Sequence, residues 1–244
     1  MNDEFKILIN EIKGNSTNGD IEIARMTIYF LLDHFSSLIE NDIRELGNAL
    51  GQSRSEMASI QNIAQLLIDF NDSPKILHGK LIELKEKTDI NYTDSIAYSF
   101  ISTLNSPIRV ITISRSSTVK RVLIQLSRNN LIKNLFIIRS YPGLEGIQLH
   151  KELLEMGINS IPVYLAEINK YVPKIDIAIS GADAITNDYI VNKLGTRLLF
   201  EYAILHKKTT IVFGNPLKRI VRDISINNEI FEKIPIEYVT KIYD

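Results

Sequence analysis

Apolar and polar positions alternate with two different periods along the chain. Up to about residue 104 the apolar residues recur at helical spacing: Phe5, Leu8, Ile9 and Ile12 in a segment from Asn2 to Lys13, then Met26, Phe30, Leu31, Phe35 and Leu38 in a segment from Ile21 to Leu46. Ser16, Thr17, Asn18, Gly19 and Asp20 interrupt these two segments as turn and cap residues. Met57, Ile60, Ile63 and Leu67 repeat the period, with Ser53 or Ser55 as the expected cap, and Asp72-Ser73-Pro74 opens a helix over Ile76 to Lys87. The spacing predicts a helical domain over residues 1–104.

From Ile108 onward short β-branched runs replace this pattern: Ile108 to Ile113, Leu135 to Ile138, Ile161 to Tyr164, Ile175 to Ile179 and Thr210 to Phe213. They are apolar at both odd and even positions, as strands covered on both faces must be. The stretches between them, Val119 to Arg128, Gly146 to Met156 and Lys193 to His206, read as helices. The expected fold class is α/β: an N-terminal helical domain, then a Rossmann-like, open, mainly parallel sheet with helices on both faces. Asn105-Ser106-Pro107 marks the boundary, giving a second domain over residues 105–244.

In such a sheet a ligand sits where strand ends turn into helix N-termini, because free N–H groups and the positive helix end converge there. The loop Ser114-Arg115-Ser116-Ser117-Thr118 offers hydroxyls, a guanidinium and amides suited to a phosphate, without the glycine and lysine spacing of a P-loop. An ordinary cap cluster has the same composition. The loop from Arg139 to Gly146 places a guanidinium at a strand end and Glu145 ahead of a helix. Gly181-Ala182-Asp183 aims a carboxylate into the crevice, and Asn192 and Lys193 are read at the start of the following helix, in reach of phosphate oxygens. The bland alternative is that Asp183 bonds its own loop and Lys193 is a solvated surface charge.

Composition narrows the chemistry. The 244 residues are 45% hydrophobic, enough for a full core, and contain no cysteine, which removes disulfides, thiolate metal sites and cysteine nucleophiles. Lys and Arg number 28 against 29 Asp and Glu, so no generic nucleic-acid or membrane surface is expected. Four histidines, none spaced as a ligand pair, give no basis for a metal, and no cofactor is expected. The charged start and the absence of a long apolar run predict a cytoplasmic protein.

Five segments in order resemble the family shared by the α, β and δ regulatory subunits of translation initiation factor 2B, methylthioribose-1-phosphate isomerase and ribose-1,5-bisphosphate isomerase. They are Arg54 to Asn62, the loop at Ser114, Pro142-x-x-Glu145-Gly146, Gly181-Ala182-Asp183 with Asn192-Lys193-x-Gly195-Thr196, and the tail from Phe231 to Ile242. The resemblance implies that Arg54, Ser116, Ser117, Thr118, Asn192, Lys193 and Lys218 contact ligand, with Arg139 added from its strand end. It also implies a homodimer or larger homo-oligomer, and initiation factor 2 as a partner. In the isomerases of the family, a cysteine and the aspartate of Gly-Ala-Asp form the acid/base pair. Here the aspartate is Asp183 but the cysteine position is Ser114, and a hydroxyl is far less acidic than a thiol. Gly14-Asn15-Ser16-Thr17 and Gly214-Asn215-Pro216 also depart from the isomerase patterns. The expected function is therefore an initiation factor 2B-like regulatory protein that binds a phosphorylated sugar or nucleotide between its domains. The alternatives are a ribose-phosphate aldose-ketose isomerase and a plain scaffold whose loops are structural.

Overall fold

The structure, a computed structural model, describes residues 3–15, 19–40, 42–226 and 229–244; Met1, Asn2 and the turn residues Ser16, Thr17 and Asn18 lie outside the described residues. The helical half comprises α1 (Asp3–Gly14), α2 (Asp20–Asp33), α3 (Phe35–Glu40), α4 (Ile43–Ser53), α5 (Ala58–Ile68), α6 (Pro74–Lys87) and α7 (Ile90–Ile101). The segment Ile21 to Leu46, expected to be one helical stretch, is thus divided among three helices. Asp42 is one cause: its Oδ1 accepts from the amides of Arg44 and Glu45 and starts α4 afresh. Neither Ser53 nor Ser55 caps α5. Its N-cap is Met57, and the Ala58 amide donates instead to the carbonyl of Asp183 at 2.9 Å, a tertiary bond that does the work of a side-chain cap. Pro74 opens α6 behind the N-cap Ser73.

The second half runs β1 (Ile108–Ile113), α8 (Ser117–Arg128), β2 (Ile132–Ile138), α9 (Glu145–Glu155), β3 (Ile161–Val163), α10 (Ile168–Tyr171), β4 (Ile177–Ser180), β5 (Ala184–Ile185), β6 (Tyr189–Lys193), α11 (Thr196–Leu205), β7 (Thr209–Phe213), β8 (Phe231–Pro235) and β9 (Lys241–Tyr243). The main sheet has the order β3-β2-β1-β4-β7-β9 with each neighbouring pair parallel. The period of two explains why its strands are apolar throughout. Val110, Leu135, Ile137, Ile177, Ile179, Ile211 and Phe213 point to one face and meet α7, α8 and α9. Ile111, Ile113, Phe136, Ile138, Ala178 and Val212 point to the other, toward Ile168 of α10 and Leu199 and Phe200 of α11. Val119, Val122, Leu123 and Leu126 form the buried stripe of α8, and each such side chain contributes roughly 1.5–3 kcal/mol relative to exposure.

A small antiparallel sheet, β5-β6-β8, stands beside the main one. It corrects one expectation, because Asn192 and Lys193 end a strand rather than begin a helix. The β-branched run Ile190-Val191 pairs with β5 and β8, and Gly195, at φ +95°, reverses the backbone before α11 starts at Thr196. The helical core, built from Phe5, Leu8, Ile23, Leu31, Ile60, Leu67 and Leu81, also takes in Leu217 from the segment after β7. Asn62 adds a polar seam, donating to the carbonyls of Leu217 and Arg219 at 2.7 and 2.9 Å.

Candidate functional site

Strand order reverses between β1 and β4: the chain leaves β1 toward β2 and β3, then crosses to β4 on the other side. The crevice at this switch point is where an open parallel sheet exposes its loops. A cleft opens there, holding about 910 Å³ of space when the open solvent at its mouth is included. The loops after β1 and β4 and the end of β6 line one side of it. Gly19, Asp20, Arg54 and Met57 line it from the helical half.

The loop after β1 begins with Ser114 in the left-handed region, at φ 66°. Its amide donates to Ser140 Oγ at 2.7 Å, and that hydroxyl in turn donates to the carbonyl of Ile138 at 2.9 Å. This relay fixes the turn, so Ser114 faces the cleft while the chain proceeds into α8. Ser116 is the N-cap of α8, accepting from the Val119 amide at 3.3 Å. Ser116 and Ser117 line the cleft at the positive end of that helix. Gly181 makes this crossing possible, since a Cβ on it would lie 2.5 Å from Ser116 Oγ.

Asp183 follows on the next loop. Its backbone is held from both sides, the amide donating to the carbonyl of Val191 at 2.7 Å and the carbonyl accepting from Ala58. Its carboxyl faces the cleft, and burial pushes it up to about 6, against the pull of Lys218, Lys193 and Arg54 and with a further push from Glu56. Lys218 is buried, with its ammonium donating to the carbonyl of Ala182. Lys193 is buried too and pairs with Glu145 Oε1 at 2.6 Å. Asn192 is fixed by the Thr196 hydroxyl at 3.0 Å. Arg54 donates to the carbonyls of Ile12 and Asn15 and lies 3.5 Å from Glu56.

Of the residues singled out in the sequence, the cleft therefore brings together Arg54, Ser114, Ser116, Ser117, Asp183, Asn192, Lys193 and Lys218. Thr118 and Arg139 are not among its lining residues. Thr118 is buried in the first turn of α8. Arg139 lies over the Tyr164 ring at 4.0 Å and donates to its hydroxyl at 2.7 Å. Asp20 is the lining residue that sequence reasoning passed over, treating it only as a turn or cap. A Gly-Asp at a helix start carries no local sign that the carboxyl is buried against a distant helix. Arg54, Arg115, Lys193 and Lys218 stand in the lining with Asp20, Glu145 and Asp183, and three of the cations are ion-paired: Arg54 with Glu56, Arg115 with Glu22 and Glu152, and Lys193 with Glu145.

The sequence pattern of the Initiation factor 2 subunit family matches residues 15–242. The chain belongs to this family. Within the initiation factor 2 subunit family, a Pyrococcus horikoshii protein named translation initiation factor 2B subunit 2-like is 30% identical over 164 residues, covering 67% of this chain and 59% of that protein. The chain thus spans less than two thirds of this relative's length. The ribose 1,5-bisphosphate isomerase of Methanocaldococcus jannaschii is 24% identical over 199 residues, covering 78% of this chain and 64% of the enzyme. The crystal structure of a translation initiation factor 2B from Pyrococcus horikoshii superimposes with a TM-score of 0.86 at 24% identity, covering 100% of this chain and 95% of that one. At that identity the superposition establishes the shared fold. Family membership therefore allows both a regulatory subunit and a sugar-phosphate isomerase.

Proposed function

We propose that this chain is a regulatory-type member of the family that binds a phosphorylated sugar or nucleotide in the cleft between its helical half, residues 1–104, and its sheet half, residues 105–244. The observation that carries the reading is the convergence of the α8 N-terminus, the Ser116 and Ser117 hydroxyls and the buried ammonium groups of Lys193 and Lys218 on one cleft. The amides, hydroxyls and lysines hold the phosphate by charge-assisted hydrogen bonds, which are the strong class. A thermal-shift titration with ribose 5-phosphate and with adenosine monophosphate tests the reading. A ligand at 100 times its Kd stabilises the fold by about 2.7 kcal/mol, and no shift with either compound removes the proposal.

Isomerisation is the second reading, and the carboxyl of Asp183 favours it. At about 6 it exchanges a proton readily near neutral pH, as a general acid/base must. Against it stands Ser114, whose hydroxyl does not ionise near neutrality as a thiol can. Single-turnover assays with ribose 1,5-bisphosphate and methylthioribose 1-phosphate decide between the two. Turnover by the wild type that Asp183→Asn abolishes establishes the enzyme; no turnover by the wild type, with binding retained, supports the regulatory reading.

Self-association is part of the proposal. Leu194, Leu198 and Leu205 present apolar side chains to solvent in and just before α11, a surface suited to a second copy. Light scattering that gives a monomer mass at all concentrations opposes it. Initiation factor 2 is the macromolecular partner that the family relationship suggests, and pull-down with purified factor is the direct check.

A further inference from the structure

Asp20 opens α2 yet does not serve that helix in the usual way. The first turn is closed by Glu22, whose Oε2 accepts from the Gly19 amide at 3.0 Å. The Asp20 carboxyl turns away and accepts through Oδ1 from the hydroxyl of Ser59, the second residue of α5. Residue and partner are both sealed from solvent, Asp20 at 1% exposure and Ser59 at 0%. Its second oxygen, Oδ2, is buried and has no hydrogen-bond partner among the described residues. Asp20 nevertheless lines the cleft.

A buried carboxyl oxygen without a partner is costly, and the cost is recovered when something arrives to bond it. The charged groups that face Asp20 are Lys218, after β7, and Asp183, after β4, both lining the same cleft. Lys218 donates to the Ala182 carbonyl and makes no hydrogen bond to Asp20 among the described residues, and a second carboxylate repels an ionised Asp20. A phosphate is unsuited to this position for the same reason of charge. What fits a lone carboxyl oxygen beside an anion-binding loop is a neutral donor carried on the phosphorylated molecule, a hydroxyl.

We propose that Asp20 is a specificity residue of the cleft: its Oδ2 accepts from a hydroxyl of a polyol or ribosyl group while the loop after β1, Lys193 and Lys218 hold the attached phosphate. The ligand class is then a hydroxylated sugar phosphate, in preference to bare phosphate or a phosphate on an apolar stem. This rests on the phosphate-binding reading above and adds a residue and a selectivity to it. Ser59 acts as a positioning residue, holding the other carboxyl oxygen so that Oδ2 stays directed at the ligand.

The test is calorimetric titration of the whole chain with ribose 5-phosphate, propyl phosphate and inorganic phosphate, comparing wild type with Asp20→Ala and Ser59→Ala. The wild type binds ribose 5-phosphate about tenfold or more tighter than propyl phosphate, the size of one hydrogen bond to a charged group. Asp20→Ala brings that ratio close to one and leaves the affinities for propyl phosphate and inorganic phosphate within about threefold of wild type. Ser59→Ala, which keeps the carboxyl but frees it, narrows the ratio less, and it carries the test if Asp20→Ala does not fold. A wild type that does not distinguish the two organic phosphates, or variants that weaken all three probes equally, overturns the role of Asp20 and leaves phosphate binding standing. A wild type that binds none of the three overturns both.

Discussion

Asp183 and Asp20 meet the cleft from its two walls, and they are held in opposite ways. Asp183 is fixed by its backbone, with the amide and the carbonyl both bonded and the carboxyl left to the cleft. Asp20 is fixed by its side chain, through Ser59. Burial raises both above the ordinary 3.8, Asp183 to about 6 and Asp20 to about 7. Asp183 is drawn back by three cations, Lys218, Lys193 and Arg54, whereas Asp20 is drawn back by Lys218 and by hydrogen bonds from the hydroxyl and amide of Ser59, while Asp183 pushes it further up. One lysine thus draws down two acids. The difference in anchoring is what the two proposed roles would need, an acid/base at Asp183 on the isomerase reading and a hydroxyl acceptor at Asp20.

Removing the shared cation is the most severe way to break this arrangement. Lys218→Met removes the cation that draws both carboxyls down, leaves the Ala182 carbonyl without its donor, and costs about 3 kcal/mol of stability at pH 8, as measured by urea unfolding. The loss shrinks at pH 5, where both acids hold their protons in the folded state. Next comes the pH profile itself. Both folded-state values lie above 3.8, so between that value and about 7 the native state retains protons that the unfolded chain has released. Stability therefore falls as pH rises through this window and levels off above it. Asp20→Asn removes part of the fall and makes the protein more stable than wild type at pH 8 by on the order of 2 kcal/mol. A variant less stable than wild type at pH 8 would show that Asp20 is fully ionised and well compensated.

Smaller changes sharpen the contrast between the anion-binding loop and the acids. Ser117→Ala removes one hydroxyl donor at the α8 N-terminus and weakens phosphate-ligand affinity about fivefold to tenfold by calorimetry, with little change in the unfolding midpoint. Gly181→Ala forces a Cβ into the space held by Ser116 and lowers stability by about 1 kcal/mol, with a drop in affinity no larger than that of Ser117→Ala.

The sheet wall was legible in the sequence because strands covered on both faces announce themselves, and strand ends then specify which loops to inspect. Ser114, Ser116, Ser117 and Asp183 follow from that logic, and the family resemblance adds Arg54 and Lys218. The small sheet was not legible: Tyr189 to Lys193 is too short to distinguish from a helix entry by period, and β8 pairs with it across many intervening residues. Helix boundaries failed where tertiary groups replaced local caps, as at Ala58, whose amide bonds a carbonyl more than a hundred residues away. Asp20 was hidden for a related reason, since its burial is created by Ser59 and by the sheet half, neither of which is adjacent in the chain.

The bond from Ala58 to the Asp183 carbonyl has a kinetic consequence. Together with the Asn62 seam, the Asn215 amide donating to the carbonyl of Lys87 and the insertion of Leu217 into the helical core, it rivets the two halves at the back of the cleft. Swinging the jaws apart would break these ties at once, so the proposed ligand would enter a site already assembled. On that proposal its arrival would be paced by diffusion and by ionic attraction, and added salt would slow association rather than shift an opening equilibrium.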